Sequence, residues 1–415
     1  MKQLLYSFSI VMMMLLTACS ADELPTEGAI DGGATRSNGG RRTVLIYMAG
    51  RNNLNRALNK NLNEIKEGSK QLSNRDNLVV FVRRYESEEI PWIARIKDGM
   101  VTDSVSIADI GLHVYDPRAC DPEIMRGVMS YVYRRYTASE DYGLVLWGHG
   151  GGWLMQDEVP KTRGYGRDDG NYYNSGEKWI NYTTMRNIMA EMPHLRFIMA
   201  DCCNFMCLES LYELRECADY VIGSPAEIPC QGAPYVEMIP LLFNGAQDFY
   251  VNIVDTYYQS VGGRLPLSVV RMDKMQQLAD ATRQVMQSVH ATMQQRGEEY
   301  LDLTGRIHYY HLDEGQKFLP EYNIFHDAGD VIRHYAAETD NQAWLEALDR
   351  AVIDRRMAMA WSTNRFWCMK YIDFTMNEQD YHGVSMYFEQ DPDKGYYGKF
   401  NKDIRQYEWY KAVWQ

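Results

Sequence analysis

Short, uninterrupted apolar runs alternate with stretches of helical periodicity along most of this 415-residue chain. Thr43-Val44-Leu45-Ile46-Tyr47-Met48 is apolar on both faces of a strand; after Ala49-Gly50, residues 54–72 carry apolar positions at helical spacing. A second run, residues 78–82, follows a polar turn at 74–77, and residues 92–96 and 101–107 flank Lys97-Asp98-Gly99 as the arms of a hairpin. Further strands are predicted at 143–147, 196–200, 220–223, 267–271 and 383–388. Helices are predicted at 121–136, where Asp121-Pro122 supplies a cap and a first-turn proline, and at 181–192, 207–216, 272–294 and 341–357. Residues 157–177 are charged, rich in Gly and Tyr, and without apolar periodicity, which predicts a long functional loop. There is no internal repeat.

Strands that are apolar throughout and separated by helices imply an α/β fold with a mostly parallel central sheet, covered on both faces. Ligands of such folds bind beyond the carboxyl ends of the strands. Two of the predicted strands end in reactive groups. Leu146-Trp147-Gly148-His149-Gly150-Gly151-Gly152-Trp153 delivers an imidazole, and Met199-Ala200-Asp201-Cys202-Cys203 delivers a thiol. Those are the two groups a cysteine-nucleophile mechanism needs. The glycines around His149 permit close backbone approach and leave N–H groups able to face a developing oxyanion. A His-Gly-Gly-Gly segment also occurs in esterase oxyanion loops, but that fold requires a Gly-x-Ser-x-Gly elbow, which this sequence lacks. Adjacent strand residues face opposite sides, so Cys202 and Cys203 have different roles. Cys203 falls in the turn before the helix predicted from Cys207, where the helix dipole favours a thiolate.

The run from Val44 through Gly50-Arg51-Asn52-Asn53-Leu54, the segment at 147–153, and Asp201-Cys202-Cys203 followed by Glu209 and Tyr212-Glu213-Leu214 resemble the clostripain-type cysteine peptidases, relatives of caspases, legumains and gingipains. Ala218-Asp219-Tyr220, Ser224-Pro225 and the run from Gly383 to Phe388 extend the resemblance through nearly all of residues 43–415. It implies a caspase-like α/β/α sandwich carrying a His149/Cys203 dyad, with the amides of Gly150 and Cys203 as the oxyanion hole. Cys202 replaces a small alanine of the family. No cofactor is required by that mechanism; some relatives need calcium, and the acidic pair Asp168-Asp169 does not suffice to assign a site.

The resemblance also bears on specificity. Relatives that cut after Arg or Lys line the pocket for that residue with two carboxylates. Asp201 matches the first. The second lies in a Gly-Asp-Gly-like turn that here reads Cys230-Gln231-Gly232, so neutral Gln231 leaves one carboxylate and a basic preference weakened by roughly 1–3 kcal/mol. Arg51 stands where relatives commonly have Asp. Relatives are often activated by a cut between the His and Cys segments after a basic residue. Lys161, Arg163 and Arg167 are the candidates, with Arg163-Gly164 preferred because Gly164 adds flexibility.

The N-terminus changes the setting rather than the fold. Lys2, the apolar stretch 4–16 and Leu16-Thr17-Ala18-Cys19 read as a lipoprotein signal peptide over residues 1–18, with Cys19 lipidated as the mature N-terminus. Residues 19–42 are Gly-, Ser- and Asp-rich with almost no large apolar residue, a flexible tether reaching roughly 70 Å at full extension. Residues 43–415 then form the peptidase domain with a C-terminal helical extension. The expected location is the periplasmic face of the outer membrane or the cell surface, with membrane contact through the lipid anchor only. Setting Cys19 aside, seven of the eight cysteines remain, an odd number in a disulfide-permissive setting, so at least one thiol lacks an intramolecular partner. A formal charge of −13 argues against nucleic acid as a partner. Two function classes follow: a cysteine endopeptidase acting on peptides or proteins, and a catalytically silent relative that binds them. The presence of both His149 and Cys203 favours the enzyme; oligomeric state is not legible.

Overall fold

Alternate residues of β1 (Gly40–Ala49) enter two different hydrophobic cores, and this alternation organises the molecule. Leu45, Tyr47 and Ala49 belong to one buried cluster, Val44, Ile46 and Met48 to the other. A strand with no polar face is satisfied only between two covering layers. The computed structural model describes residues 40–85, 90–155, 164–171, 176–303, 307–310, 324–365, 368–373 and 380–415.

After β1, α1 (Asn55–Ser69) lays Leu58, Leu62 and Ile65 on the second cluster. β2 (Asn77–Arg83) pairs with β1 in parallel, and β3 (Trp92–Lys97) and β4 (Met100–Ser106) add an antiparallel hairpin at that edge. α2 (Pro122–Arg135) covers the first cluster; the Asp121 side chain caps it by accepting from Glu123 N at 2.8 Å. β5 (Ala138–Gly148) pairs with the other side of β1. β6 (Tyr165–Asp168) and β7 (Lys178–Ile180) form a small hairpin before α3 (Tyr182–Met189) and β8 (Leu195–Asp201). α4 (Leu208–Glu213) and β9 (Ala218–Gly223) complete the parallel part of the sheet. α5 (Tyr235–Leu242) and α6 (Phe249–Ser260) join α1 over the second cluster. β10 (Leu267–Arg271) and α7 (Met275–Arg296) follow, then β11 (His326–Asp327), α8 (Ala328–Tyr335), α9 (Glu338–Ala351) and β12 (Val352–Arg356). The hairpin β13 (Ala360–Arg365) and β14 (Cys368–Asp373), the short β15 (Ser385–Met386), α10 (Tyr397–Ile404) and α11 (Glu408–Trp414) end the chain. The main sheet has nine strands in the order β12-β10-β9-β8-β5-β1-β2-β3-β4, parallel from β9 to β2 and antiparallel at both edges. This is the α/β/α arrangement expected from the apolar runs.

Four local expectations are corrected. The helix predicted at 341–357 stops at Ala351, and residues 352–356 become β12, because β-branched Val352 and Ile353 meet the unpaired edge of β10. Of the strand predicted at 383–388, only Ser385–Met386 pairs; Gly383, at φ 80°, breaks the extension. The described part of the 157–177 loop is not a surface excursion: Tyr165 and Asp168 are buried in β6. β1 begins at Gly40, three residues early, because Arg42 is buried and paired with Asp141.

Candidate active site

β5 and β8 run in parallel from Gly143 opposite Phe197 to Trp147 opposite Asp201. His149 and Cys203 each lie two residues beyond that last pair, on neighbouring strands spaced by about 4.8 Å. The two loops then leave the sheet in contact. A Cβ built on Gly150 would stand 2.5 Å from the Cys203 carbonyl oxygen and 3.2 Å from Cys202 Sγ, so only glycine allows this approach. Gly152, at φ 59°, turns the chain inward and places the buried Trp153 against Tyr387, ring centroids 4.6 Å apart. Tyr407 donates to the Trp153 carbonyl at 2.6 Å, which ties the C-terminal region to the histidine loop.

His149 is half-buried, with Nε2 2.6 Å from Asn53 Oδ1. An amide oxygen only accepts, so the neutral imidazole carries its proton on Nε2 and its basic lone pair on Nδ1. Trp179 flanks the ring at 6.1 Å between centroids. The only sequence signal of Asn53 is an Asn-Asn pair shortly after an apolar strand.

The two cysteines separate as strand alternation requires. Cys202 continues the inward row of Ile198 and Ala200 in the first cluster, and burial pushes its thiol far above the ordinary range. Cys203 is half-buried, and its Sγ accepts from Ile228 N at 3.3 Å. Asn204, at φ 53°, turns the chain away, with its N–H bonded to Ala226 O at 2.9 Å. The helix expected from Cys207 is α4, which begins at Leu208 with Cys207 as its cap residue and is six residues long; a donor that reaches the Cys203 sulfur is the amide of Ile228. An N–H facing sulfur favours the thiolate over the thiol.

Gly150 faces Tyr165 as a single antiparallel pair, and the two bonds flanking it run from Gly166 N to His149 O (2.9 Å) and from Gly151 N to Gly164 O (2.8 Å). In that pattern the amide of Gly150 points away from β6. It makes no hydrogen bond among the described residues.

Asp201 faces the opposite side of the sheet from Cys202. It is buried; Oδ2 accepts from Ala233 N (3.1 Å) and Tyr235 Oη (2.8 Å), and Oδ1 from Tyr257 Oη (2.7 Å). Burial raises its pKa above the usual carboxylate value against the lowering effect of these donors, and no cation pairs with it among the described residues. The Gln231 turn lies alongside: a Cβ on Gly232 would be 2.8 Å from Asp201 Oδ2. The Gln231 side chain is exposed, while its carbonyl accepts from Asn61 Nδ2 at 2.9 Å. The structure therefore gathers Cys203, Asp201 and the 228–233 segment. The tyrosines holding Asp201 come from α5 and α6 and carried no sequence signal.

Asp168, one of the acidic pair considered for calcium, is fully buried. Its Oδ2 accepts from Ala119 N (2.9 Å) and pairs with Arg83 (3.3 Å), and its Oδ1 accepts from Gly170 N (2.9 Å). Asp169 pairs with Arg167 at 2.7 Å. Among the described residues no group of three or more His, Cys, Asp or Glu could hold a metal ion. Arg167 sits within β6 and also pairs with Glu177 at 3.2 Å, so it is not displayed as a cleavage site. Lys161, Arg163 and Cys19 lie outside the described residues. None of the six cysteines with described side chains is in a disulfide.

Comparison with known proteins bears on the fold and the family. A secreted C11 cysteine protease from Bacteroides thetaiotaomicron, in complex with an irreversible peptide inhibitor, superimposes with a TM-score of 0.72 at 27% identity, over 90% of this chain and 99% of that one. An inactive zymogen C11 protease from Parabacteroides distasonis gives 0.73 at 25% identity, over 91% and 99%. No curated protein matches the chain. The profile of the clostripain family, peptidase C11, matches residues 46–414, almost the whole span from β1 to α11. The chain belongs to the clostripain family of cysteine peptidases.

Proposed function

We propose that the protein is a cysteine endopeptidase whose catalytic pair is His149 and Cys203. The observation that carries the assignment is the β5–β8 register, which ends both residues two positions past Trp147 and Asp201 with Gly150 seated against Cys203. In this reading the Cys203 thiolate attacks the scissile carbonyl carbon, and the amides of Gly150 and Cys203 stabilise the oxyanion. His149, charged, gives its proton to the leaving amine as the C–N bond breaks. Water then adds to the thioester, His149 takes its proton, and the C–S bond breaks to release the acid and regenerate the thiolate. Asn53 keeps the imidazole in the tautomer this sequence needs.

The residue preceding the cut is Arg or Lys, with selectivity weaker than two carboxylates would give. Asp201 supports this as a buried carboxylate without a cation beside the nucleophile, and neutral Gln231 supports the weakening. Self-processing in the 156–163 stretch, at Lys161 or Arg163, accords with the family and with a relative described as an inactive zymogen. The N-terminal sequence supports export and lipidation at Cys19, and membrane contact through that anchor alone.

Iodoacetamide labelling followed by peptide mapping, combined with cleavage-site profiling on a mixed peptide library, tests the assignment. Cys203 should label far faster than the other thiols, and the Cys203→Ala protein should cut nothing. Uniform slow labelling without turnover would leave the alternative, a silent relative that binds peptides or proteins.

A further inference from the structure

The turn between β1 and α1 meets the returning arm of the His–Cys connection beside His149. Asn53 holds the imidazole, and the two residues before it reach the arm. Asn52 Nδ2 donates to Arg167 O at 2.7 Å. Buried Arg51 donates from Nε to Gly170 O, and its own carbonyl accepts from Asp169 N at 3.0 Å. The arm in turn holds the catalytic loop through the bonds from Gly166 N to His149 O and from Gly151 N to Gly164 O. Between them the fully buried Tyr165 directs its hydroxyl at Tyr47 O (3.0 Å) and Trp147 O (3.1 Å), near the carboxyl ends of β1 and β5.

This arrangement answers a physical need. The β5–β8 ladder ends at Trp147 and the β1–β5 ladder at Gly148, so no sheet ladder pairs His149 itself, and it stands among glycines, which carry the largest backbone entropy of any residue. Bonds from Gly164 and Gly166 replace the missing ladder. They hold their register only while Tyr165 and residues 167–170 are themselves fixed. Arg51 spans the turn and the arm with its side chain and its carbonyl together, which gives the Arg at this position a purpose.

We propose that residues 164–170 are a strap that sets the position of His149, with Tyr165 and Arg51 as its positioning residues. The proposal rests on the assignment of His149 and Cys203 as the catalytic pair. Both positioning residues are buried. A histidine displaced by as little as 1 Å costs up to about a hundredfold in rate, and the same displacement weakens the support that a charged imidazole gives the Cys203 thiolate.

The test is the pH dependence of Cys203 alkylation by iodoacetamide in the full chain, with kcat and KM on a cleaved peptide. Tyr165→Phe removes only a hydroxyl, and Arg51→Met keeps the stem without the guanidinium. In both, alkylation at pH 6 should slow about tenfold and converge with wild type at pH 9.5, where every exposed thiol is ionised. kcat should fall about tenfold with KM within twofold, and Arg51→Lys should recover part of the loss. Profiles that superimpose on wild type in variants with a lowered Tm would show that these residues support only the fold, and would overturn the strap. His149→Ala is the control: if its profile also matches wild type, the catalytic pair itself is wrong, a failure distinct from that of the strap.

Discussion

Asn53 Oδ1 sits 2.6 Å from His149 Nε2, so a residue in the first turn of the fold fixes the tautomer of a histidine 96 positions later. Asn53→Ala removes the acceptor that faces Nε2 of the imidazole. The expected result is a fall in kcat of about tenfold or more, with KM nearly unchanged, since in the proposed mechanism the amide acts on the base and not on substrate binding. Steady-state kinetics on one peptide, with Tm as control, checks it. An equal rise in KM with unchanged kcat would contradict it.

In the proposed reading, specificity turns on Asp201 and Gln231. Gln231→Asp restores a second carboxylate in an exposed turn and should raise kcat/KM for Arg and Lys substrates by roughly tenfold over neutral ones. Asp201→Asn removes the buried charge and should abolish the basic preference. It also turns an amide NH2 toward the donors Tyr235, Tyr257 and Ala233, which costs about 1–3 kcal/mol of stability. A peptide library varied only at the residue before the cut separates the two effects.

Purified wild-type protein should accumulate two fragments divided within residues 156–163, and Cys203→Ala should remain one chain. N-terminal sequencing of the larger fragment should begin at Gly164 when Arg163 is the site. Equal processing of the mutant would assign the cut to another protease.

Glu209, fully buried in α4, accepts from Tyr387 N at 2.6 Å through Oε1, and burial pushes its pKa up to about 8. Because the folded value exceeds the unfolded 4.5, its contribution to stability is present in full below pH 4.5 and is lost as pH rises toward 8. Glu209→Gln keeps the acceptor and removes the titration. Wild type should lose Tm relative to this variant between pH 5 and pH 9 in thermal melts, and parallel curves would refute the assignment.

Much of the fold was legible because it rests on local periodicity. Val44 to Met48 is apolar on both strand faces, and such a run has no stable place outside a two-sided core. Strand alternation alone separated Cys202 from Cys203, and the structure puts Cys202 in the core row with Ile198 and Ala200. The same local reasoning failed where pairing partners are distant. Val352 to Arg356 continued a helical pattern, yet the open edge of β10 took it as a strand.

The sequence by itself determined a parallel, doubly covered sheet and the two strand ends that bear an imidazole and a thiol. These follow from residue type and spacing over a few neighbours. Only the tertiary structure decided what surrounds them: Asn53 on His149, Ile228 on Cys203, Tyr235 and Tyr257 on Asp201, and Tyr165 under the histidine loop. The reason is that a hydrogen bond depends on positions in space. Tyr165 reaches Tyr47 across 118 residues of chain, and no pattern along that chain specifies the meeting until the sheet has closed.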